Sequence, residues 1–367
     1  MSAQKKITVF VHKPFVNFYW GKVVLASFEK VKVKYGLSIK LIENGEDISA
    51  SKHNGFAFLL GVDSKWIDSV IEKIKNPDLH IVLLYGKSVK YGSDVSSIDF
   101  DQRDIIKRSI EMLREKHRYK TALFGVQEND TSDADKASVF ALLNSSDNIY
   151  RTNRDIEECF MRFYRRISEY DSVICANDII AVYLCKRCRE MGIEVPSRLY
   201  VVGNGGLWIA DNTSPRLTTV IYDFESMADI ALCAINSIVK FADLSTFSIK
   251  MKMQIIDRES TGGADRLERS ERLGYTQYKM LYSDSYEITD ENINKIKEID
   301  SSFSSLSPID RRIVRELCGF NSYEEISSRL FMTVDAVRYH IKKIYKTLGV
   351  HTVGELRDIV NAYKINI

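Results

Sequence analysis

Arg338, Lys342 and Lys346 recur at four-residue intervals, with Tyr339 and Lys343 beside them. On a helix that spacing gathers the three cations on one face. Guanidinium and ammonium groups so placed can reach phosphates and the acceptor edge of guanine in the major groove of a DNA duplex. The same pattern also suits an ordinary solvated helix face, so the flanking residues matter. Val337, Ile341, Ile344 and Leu348 fall on the opposite side and would face a core.

The surrounding segment supplies a small helical framework for that face. Ser307 and Pro308 form a helix start, a hydroxyl cap followed by proline at the first helical position. Ile313, Val314 and Leu317 make one apolar stripe, and Gly319 ends the helix. Asn321 or Ser322 caps a second, with Glu325 placed for a capping box on Ser322 and Ile326 and Leu330 on its buried side. Thr333 caps the cationic helix, Val334 to about Leu348, and Gly349 stops it. Thr352 caps a fourth, edged by Leu356, Ile359, Val360 and Tyr363. Residues 304–367 resemble the LuxR-type (GerE-like) helix-turn-helix family. The likeness is carried by Leu306-Ser307-Pro308, Gly319, Glu325-Ile326, Leu330, Thr333, Val337, His340, Ile344-Tyr345 and Leu348-Gly349-Val350. Ile309, Ala336 and Thr347 depart from its usual residues. The resemblance implies base-facing roles for Arg338, Tyr339 and Lys342, and phosphate contacts for Thr333, Lys343 and Lys346. It also makes Ile359, Val360 and Tyr363 candidates for a dimer contact, although packing on the first helix would use them equally.

Composition sets the frame. At 367 residues, two or three domains are allowed, and 45% hydrophobic with 28% charged residues is ordinary for a globular protein. Net charge is only +2, while residues 304–367 hold ten Lys/Arg against seven Asp/Glu. The positive charge is thus local, as a groove-reading module needs, rather than a membrane-binding coat. No apolar run approaches the ~18 residues of a membrane helix. MSAQKKITVF enters a strand directly without a signal-peptide core, so a cytoplasmic location is expected. Cys185 and Cys188 form a C-x-x-C, yet no second pair or His cluster accompanies it, and the two share one face of a helical pattern. Buried thiols are expected there, with no metal and no cofactor.

Residues 1–262 alternate short apolar runs with amphipathic stretches. ITVFVH, SIKLIE, GFAFLLG, HIVLLYG, TALFGV, SVICAN and LYVVGNG read as buried parallel strands. Helices are expected between them, among them 103–115, 134–143, 155–168 and 178–191. This predicts an α/β architecture with right-handed crossovers, in two lobes. Ligands of such sheets bind beyond the carboxyl ends of the strands, here His12 to Phe15, Gly61, Gly86, Asn177, and Asn204 with Gly205.

Four strings sharpen this: residues 98–125, 174–206, 214–235 and 255–261. With Asn177-Asp178, Val195-Pro196, Val202-Gly203, Pro215, Leu217-Thr218-Thr219 and Arg258-Glu259-Ser260-Thr261, they resemble the effector domain of LacI-type repressors, relatives of periplasmic sugar-binding proteins. The resemblance spans about residues 5–262 and implies two lobes joined by three crossings, with a small molecule clamped between them. By the same resemblance Asn17, Tyr19, Trp20, Asp101, Lys136, Asn177, Asp178, Asn204 and Trp208 would face that molecule. Asp101 and Asp178 serve equally as helix caps, and Trp20 as core. The strand-end loop Gly203-Asn204-Gly205-Gly206 lacks the carboxylate that many sugar-binding relatives carry, and Lys136 stands where the family often has Arg. A sugar, a sugar derivative or another metabolite all fit.

Residues 263–303 match neither family and read as a connector, with one helix over 288–303 carried by Ile293, Ile296 and Ile299. The combined expectation is a homodimeric regulator in which a small effector alters binding to double-stranded DNA. An enzyme would need a nucleotide or nucleophile motif that the sequence lacks: no Gly-x-Gly-x-x-Gly follows the first strand, and no Gly-x-Ser-x-Gly appears. A scaffold whose effector lobes bind a protein, or nothing, is the alternative.

Overall fold

The computed structural model describes residues 6–17, 19–42, 48, 55–61, 63–84, 91, 94–127, 131–152, 155–241, 244–264 and 290–367. The first elements are β1 (Ile7–His12), α1 (Tyr19–Tyr35), β2 (Leu37–Ile42), β3 (Gly55–Leu60), α2 (Ser64–Ile74), β4 (Leu79–Leu84) and β5 (Val95–Phe100). There follow α3 (Gln102–Glu115), β6 (Thr121–Gln127), α4 (Thr131–Leu143), β7 (Ile149–Thr152), α5 (Ile156–Tyr164), β8 (Ser172–Cys175), α6 (Asp178–Glu190) and β9 (Tyr200–Asn204). Next come α7 (Trp208–Asp211), β10 (Thr218–Ile221), α8 (Met227–Lys240), β11 (Ser248–Met251) and β12 (Gln254–Ile256). The chain closes on α9 (Glu291–Ser304), α10 (Pro308–Cys318), α11 (Tyr323–Leu330), α12 (Val334–Leu348) and α13 (Val353–Tyr363).

The chain divides into two compact units, and the described residues change unit at 101/102, 221/222 and 253/254. The first unit holds a six-stranded parallel sheet ordered β11-β5-β4-β3-β1-β2. The second holds another six, β12-β10-β9-β8-β6-β7, parallel except for β12 against β10. Strands β1, β3, β4, β6 and β8 are the expected apolar runs, and their residues are almost all buried. In the second unit Leu123, Val126, Ile174 and Val202 meet Ile106, Ile110 and Leu113 of α3 and Phe140 of α4.

Strand β5 was not among the expected strands because half of VSSIDF is polar. Its polar side chains are buried with partners: Ser96 Oγ pairs with His80 Nε2 at 2.8 Å and accepts from Phe247 N at 3.0 Å. Asp99 Oδ2 accepts from Lys250 Nζ at 3.3 Å. The helix expected over 155–168 ends at Tyr164, and a short 3-10 turn spans Ile167–Glu169. There Arg166 holds the chain by donating to Asp147 O at 2.8 Å and to Glu169.

Helices α9 to α13 belong to the second unit. α9 is the helix expected in the connector, and its Ile293, Ile296, Ile299 and Phe303 are buried. It packs on α6, α7 and α12. Each following helix starts on a side-chain cap: capping boxes at Ser307 with Asp310 and Ser322 with Glu325, then Thr333 on Ala336 N and Thr352 on Glu355 N. Gly349 ends α12 at φ +64°, a conformation glycine adopts without strain.

Candidate functional site

The carboxyl ends of β6, β8 and β9 bring together part of the expected ligand set. Lys136 of α4 is buried, and its Nζ donates to Asp133 Oδ1 at 2.9 Å and to Ala176 O at 3.0 Å. Asn204 Nδ2 donates to the same carbonyl at 3.3 Å. Asn177, next in the chain, accepts from Ile180 N at 3.0 Å and caps α6. Asp133, which sequence reasoning missed, holds the turn after β6 by accepting from Gln127 N at 2.9 Å. Its signal was the i,i+3 spacing to Lys136. Because the buried ammonium sits on a buried carboxylate, the pair is close to neutral toward its surroundings. Amides beside a neutralised charge suit the hydroxyls of a neutral polar molecule better than a free anion.

Two expected contacts are placed elsewhere. Asp178 is fully buried, with Oδ1 accepting from Thr219 Oγ1 at 2.6 Å and Oδ2 from Leu207 N at 2.8 Å. It ties α6 to β10 and the loop after β9 and does not cap α6. Burial pushes its carboxyl up to about 6. Trp208 is buried too, its ring stacked on Phe303 of α9 at 5.7 Å between centroids. A large apolar ring on a four-residue helix finds its core against the neighbouring helix, which is why it does not line the strand ends. Asp101 is the last residue of the first unit, half-buried, with its N–H donating to Met251 O at 3.2 Å. The side chains of Asn17, Tyr19 and Trp20, and Gly86, lie outside the described residues.

The cationic face of α12 is exposed. Arg338, Tyr339, Lys342, Lys343 and Lys346 all reach solvent, as does Thr333 at the cap. Arg338, Lys342 and Lys346 line an open depression of about 600 Å³ with Tyr323, Tyr345 and His351. Tyr323 and His351 were not among the expected residues; each sits beside a helix cap, which brings it to this face. Arg338 Nη1 lies 3.4 Å from Asp335. Lys343 differs from its neighbours, because its Nζ donates to buried Asp310 at 2.9 Å. His340 Nδ1 meets the other oxygen at 2.6 Å, and Ser307 Oγ donates at 2.6 Å. Burial opposes the charge on Asp310, yet these partners hold its carboxyl down at about 2.

Of the residues expected at a dimer contact, Ile359 and Val360 are half-buried and Tyr363 is buried inside the chain. α13 packs against α10 and α6, and Arg189 of α6 donates to Ala362 O at 3.1 Å. The apolar edge of α13 is therefore partly used within the chain, and for Tyr363 the packing alternative holds. Cys185 and Cys188 are free and buried, and burial raises both thiols, Cys185 to about 12. No group of three or more metal-ligating side chains occurs among the described residues. No described helix is long and apolar enough to cross a membrane.

Residues 111–261 match the model of the periplasmic binding protein-like domain. Two curated relatives are an uncharacterized HTH-type transcriptional regulator, YvdE, of Bacillus subtilis and the ribose operon repressor of Halalkalibacterium halodurans. The first is 26% identical over 34% of this chain and 38% of its own length. The second is 29% identical over 27% of this chain and 30% of its own length. The chain thus spans well under two thirds of the curated relatives it matches. Among solved structures, a LacI family transcriptional regulator from Arthrobacter sp. FB24 in complex with lactose aligns at TM-score 0.52 and 17% identity, over 70% of this chain and 99% of that one. A CelR–cellobiose complex aligns at TM-score 0.54 and 14% identity, over 70% of this chain and 86% of that one. At these identities the likeness is one of fold. The chain has two parallel-sheet α/β lobes like those of LacI-family effector domains, followed by helices at the C-terminal end of the sequence.

Proposed function

We propose that this protein is a DNA-binding transcriptional regulator that responds to a small neutral metabolite, a sugar or sugar derivative, and is not an enzyme. Residues 1–262 form the sensor, 263–303 the connector, and 304–367 a LuxR-type module that reads double-stranded DNA. The observation that carries this reading is the exposed Arg338, Lys342 and Lys346 face of a capped helix, attached to a fold shared with sugar-bound regulators. Arg338, Tyr339 and Lys342 meet base edges, and Thr333 and Lys346 meet phosphates, which set register without reading sequence. Lys343 divides its charge between Asp310 and the DNA backbone. Lys136, Asn177 and Asn204 hold the metabolite at the strand ends of the second lobe. The regulator acts in the cytoplasm as a homodimer over two half-sites, with Ile359 and Val360 as the remaining candidates for a contact between protomers.

Selection from random duplex DNA tests the reading directly. A recovered sequence bound with a steep salt dependence, together with a rise in melting temperature on adding a sugar that is not turned over, is the expected result. Indifference to duplex sequence at moderate ionic strength refutes it.

A further inference from the structure

The strand-end site and the helical array belong to one packed unit, and a short segment joins them. β9 ends at Asn204, whose amide is on Ala176 O. Gly205 and Gly206 follow at φ +135° and +65°, in backbone regions that other residues rarely adopt. Leu207 N is held by Asp178, and α7 starts at the next residue. On α7, Trp208 stacks on Phe303 of α9 at an interplanar angle of 21°, and the Arg311 guanidinium of α10 lies 5.5 Å from the Trp208 ring. Ile209 N donates to Oδ1 of the fully buried Asp300 of α9 at 2.8 Å.

A second attachment reaches the same segment from the far end of the chain. Ser214 N donates to Lys364 O at 2.9 Å, and Asn366 N donates to Asn212 O at 2.8 Å. Asn366 Nδ2 adds a bond to Thr213 O at 3.3 Å. The helices on either side of the recognition helix, α9 in the connector and α13 at the module's end, are therefore both anchored to residues 207–214, α13 through Lys364 and Asn366 just beyond it. Those residues are the direct continuation of the strand that carries Asn204.

We infer that residues 204–214 are a relay within one chain, through which occupancy of the strand ends sets the position of α12, with Asp300 as a positioning residue. The inference rests on the regulator reading above. A ligand hydroxyl that engages the Asn204 amide competes with Ala176 O, and the two glycines let the loop follow. The N–H of Ile209 is buried, so separating α7 from α9 would leave it without its acceptor, at a cost comparable to a lost hydrogen bond. The two helices then shift together, which is how packed elements carry a displacement over distance. No contact between protomers is required, in contrast to a signal routed through a dimer interface of the sensor.

The test uses the full chain, a DNA duplex recovered by selection, and glucose, ribose, lactose and cellobiose as probes. In the wild type a stabilising sugar changes DNA affinity by roughly 5–150-fold. Asp300→Ala is expected to keep the sugar-induced rise in melting temperature and the sugar-free DNA affinity, while its sugar response falls toward onefold. Asp300→Asn, which retains an acceptor for Ile209 N, is expected to restore most of the response. A full response in Asp300→Ala overturns the relay. If that variant does not fold, Phe303→Leu, which trims the stack on Trp208, carries the same expectation and the same refutation. Hydrogen exchange needs no sugar: either variant should speed exchange at residues 204–207, across the seam from the substitution. Exchange changes confined to α9 and α10 overturn the relay even if no probe binds. A wild type that none of the sugars stabilises counts against the sugar reading alone.

Discussion

Asp178 and Asp310 are both fully buried aspartates that tie their own helix to other parts of the chain, yet their carboxyls move in opposite directions. Asp178, in the sheet lobe, is met by two neutral donors, the Leu207 N–H and the Thr219 hydroxyl. Desolvation dominates there and lifts it to about 6. Asp310, in the helical module, is desolvated as well, but the Ser307 hydroxyl, the Lys343 ammonium and the His340 ring converge on it and bring it to about 2. Burial alone does not set the charge state of an acid; the number and strength of the hydrogen bonds its carboxylate accepts, together with nearby charge, weigh against it. The two halves of the chain should therefore respond to acid in separate windows. Asp178 favours its neutral form in the fold, so its contribution is complete below about pH 4 and fades as pH rises through 6. Asp310 favours its charged form, so its contribution is present above about pH 4 and is lost as pH falls toward 2.

Four measurements break or sharpen that contrast. The largest effect is expected from Asp310→Ala, which leaves the Ser307, His340 and Lys343 donors without their shared carboxylate. A loss of about 3–5 kcal/mol in urea unfolding followed by helical circular dichroism is expected. A loss below about 1 kcal/mol would show that the charged partners contribute little more than the neutral ones do at Asp178. Next, the stability of the wild type relative to Asp178→Asn should fall by about 2–3 kcal/mol between pH 4 and pH 6. A flat difference across that range would remove the lobe from the comparison.

The other two set Lys343, drawn onto Asp310, against its neighbours on the same exposed face. Arg338→Ala should cost about 1–3 kcal/mol and relax preference at one base position, read by competition among duplexes altered one pair at a time. An unchanged preference would take Arg338 off the reading face. Lys346→Ala should weaken all sequences alike and reduce the slope of log affinity against log salt by about 0.9. If Lys343→Ala gave that slope change and Lys346→Ala did not, the assignment of the two lysines would be reversed.

Strands β1, β2, β3, β4, β6, β8 and β9 were legible as apolar runs, whereas β5, β7, β10, β11 and β12 were not. The four helices after residue 306 were legible because each begins on a Ser or Thr cap. Strand β5 escaped because Ser96 and Asp99 become interior only once His80, Phe247 and Lys250 supply partners from distant parts of the chain. Within the candidate site, Lys136, Asn177 and Asn204 were visible and meet around Ala176 O, directly or as its neighbour in the chain. Asp133 was missed despite its i,i+3 spacing to Lys136, because that spacing is the same for an exposed helix pair as for a buried one.

Local pattern by itself determined the element types, the helix caps and the cationic stripe, since each depends on residues within one or two turns of one another. The tertiary structure alone decided that Asp178 and Trp208 turn inward, that Lys343 is drawn onto Asp310, and that α9 and α13 both fasten to residues 207–214. Those outcomes depend on contacts between residues tens to more than a hundred positions apart, whose desolvation and pairing exist only after the chain has packed.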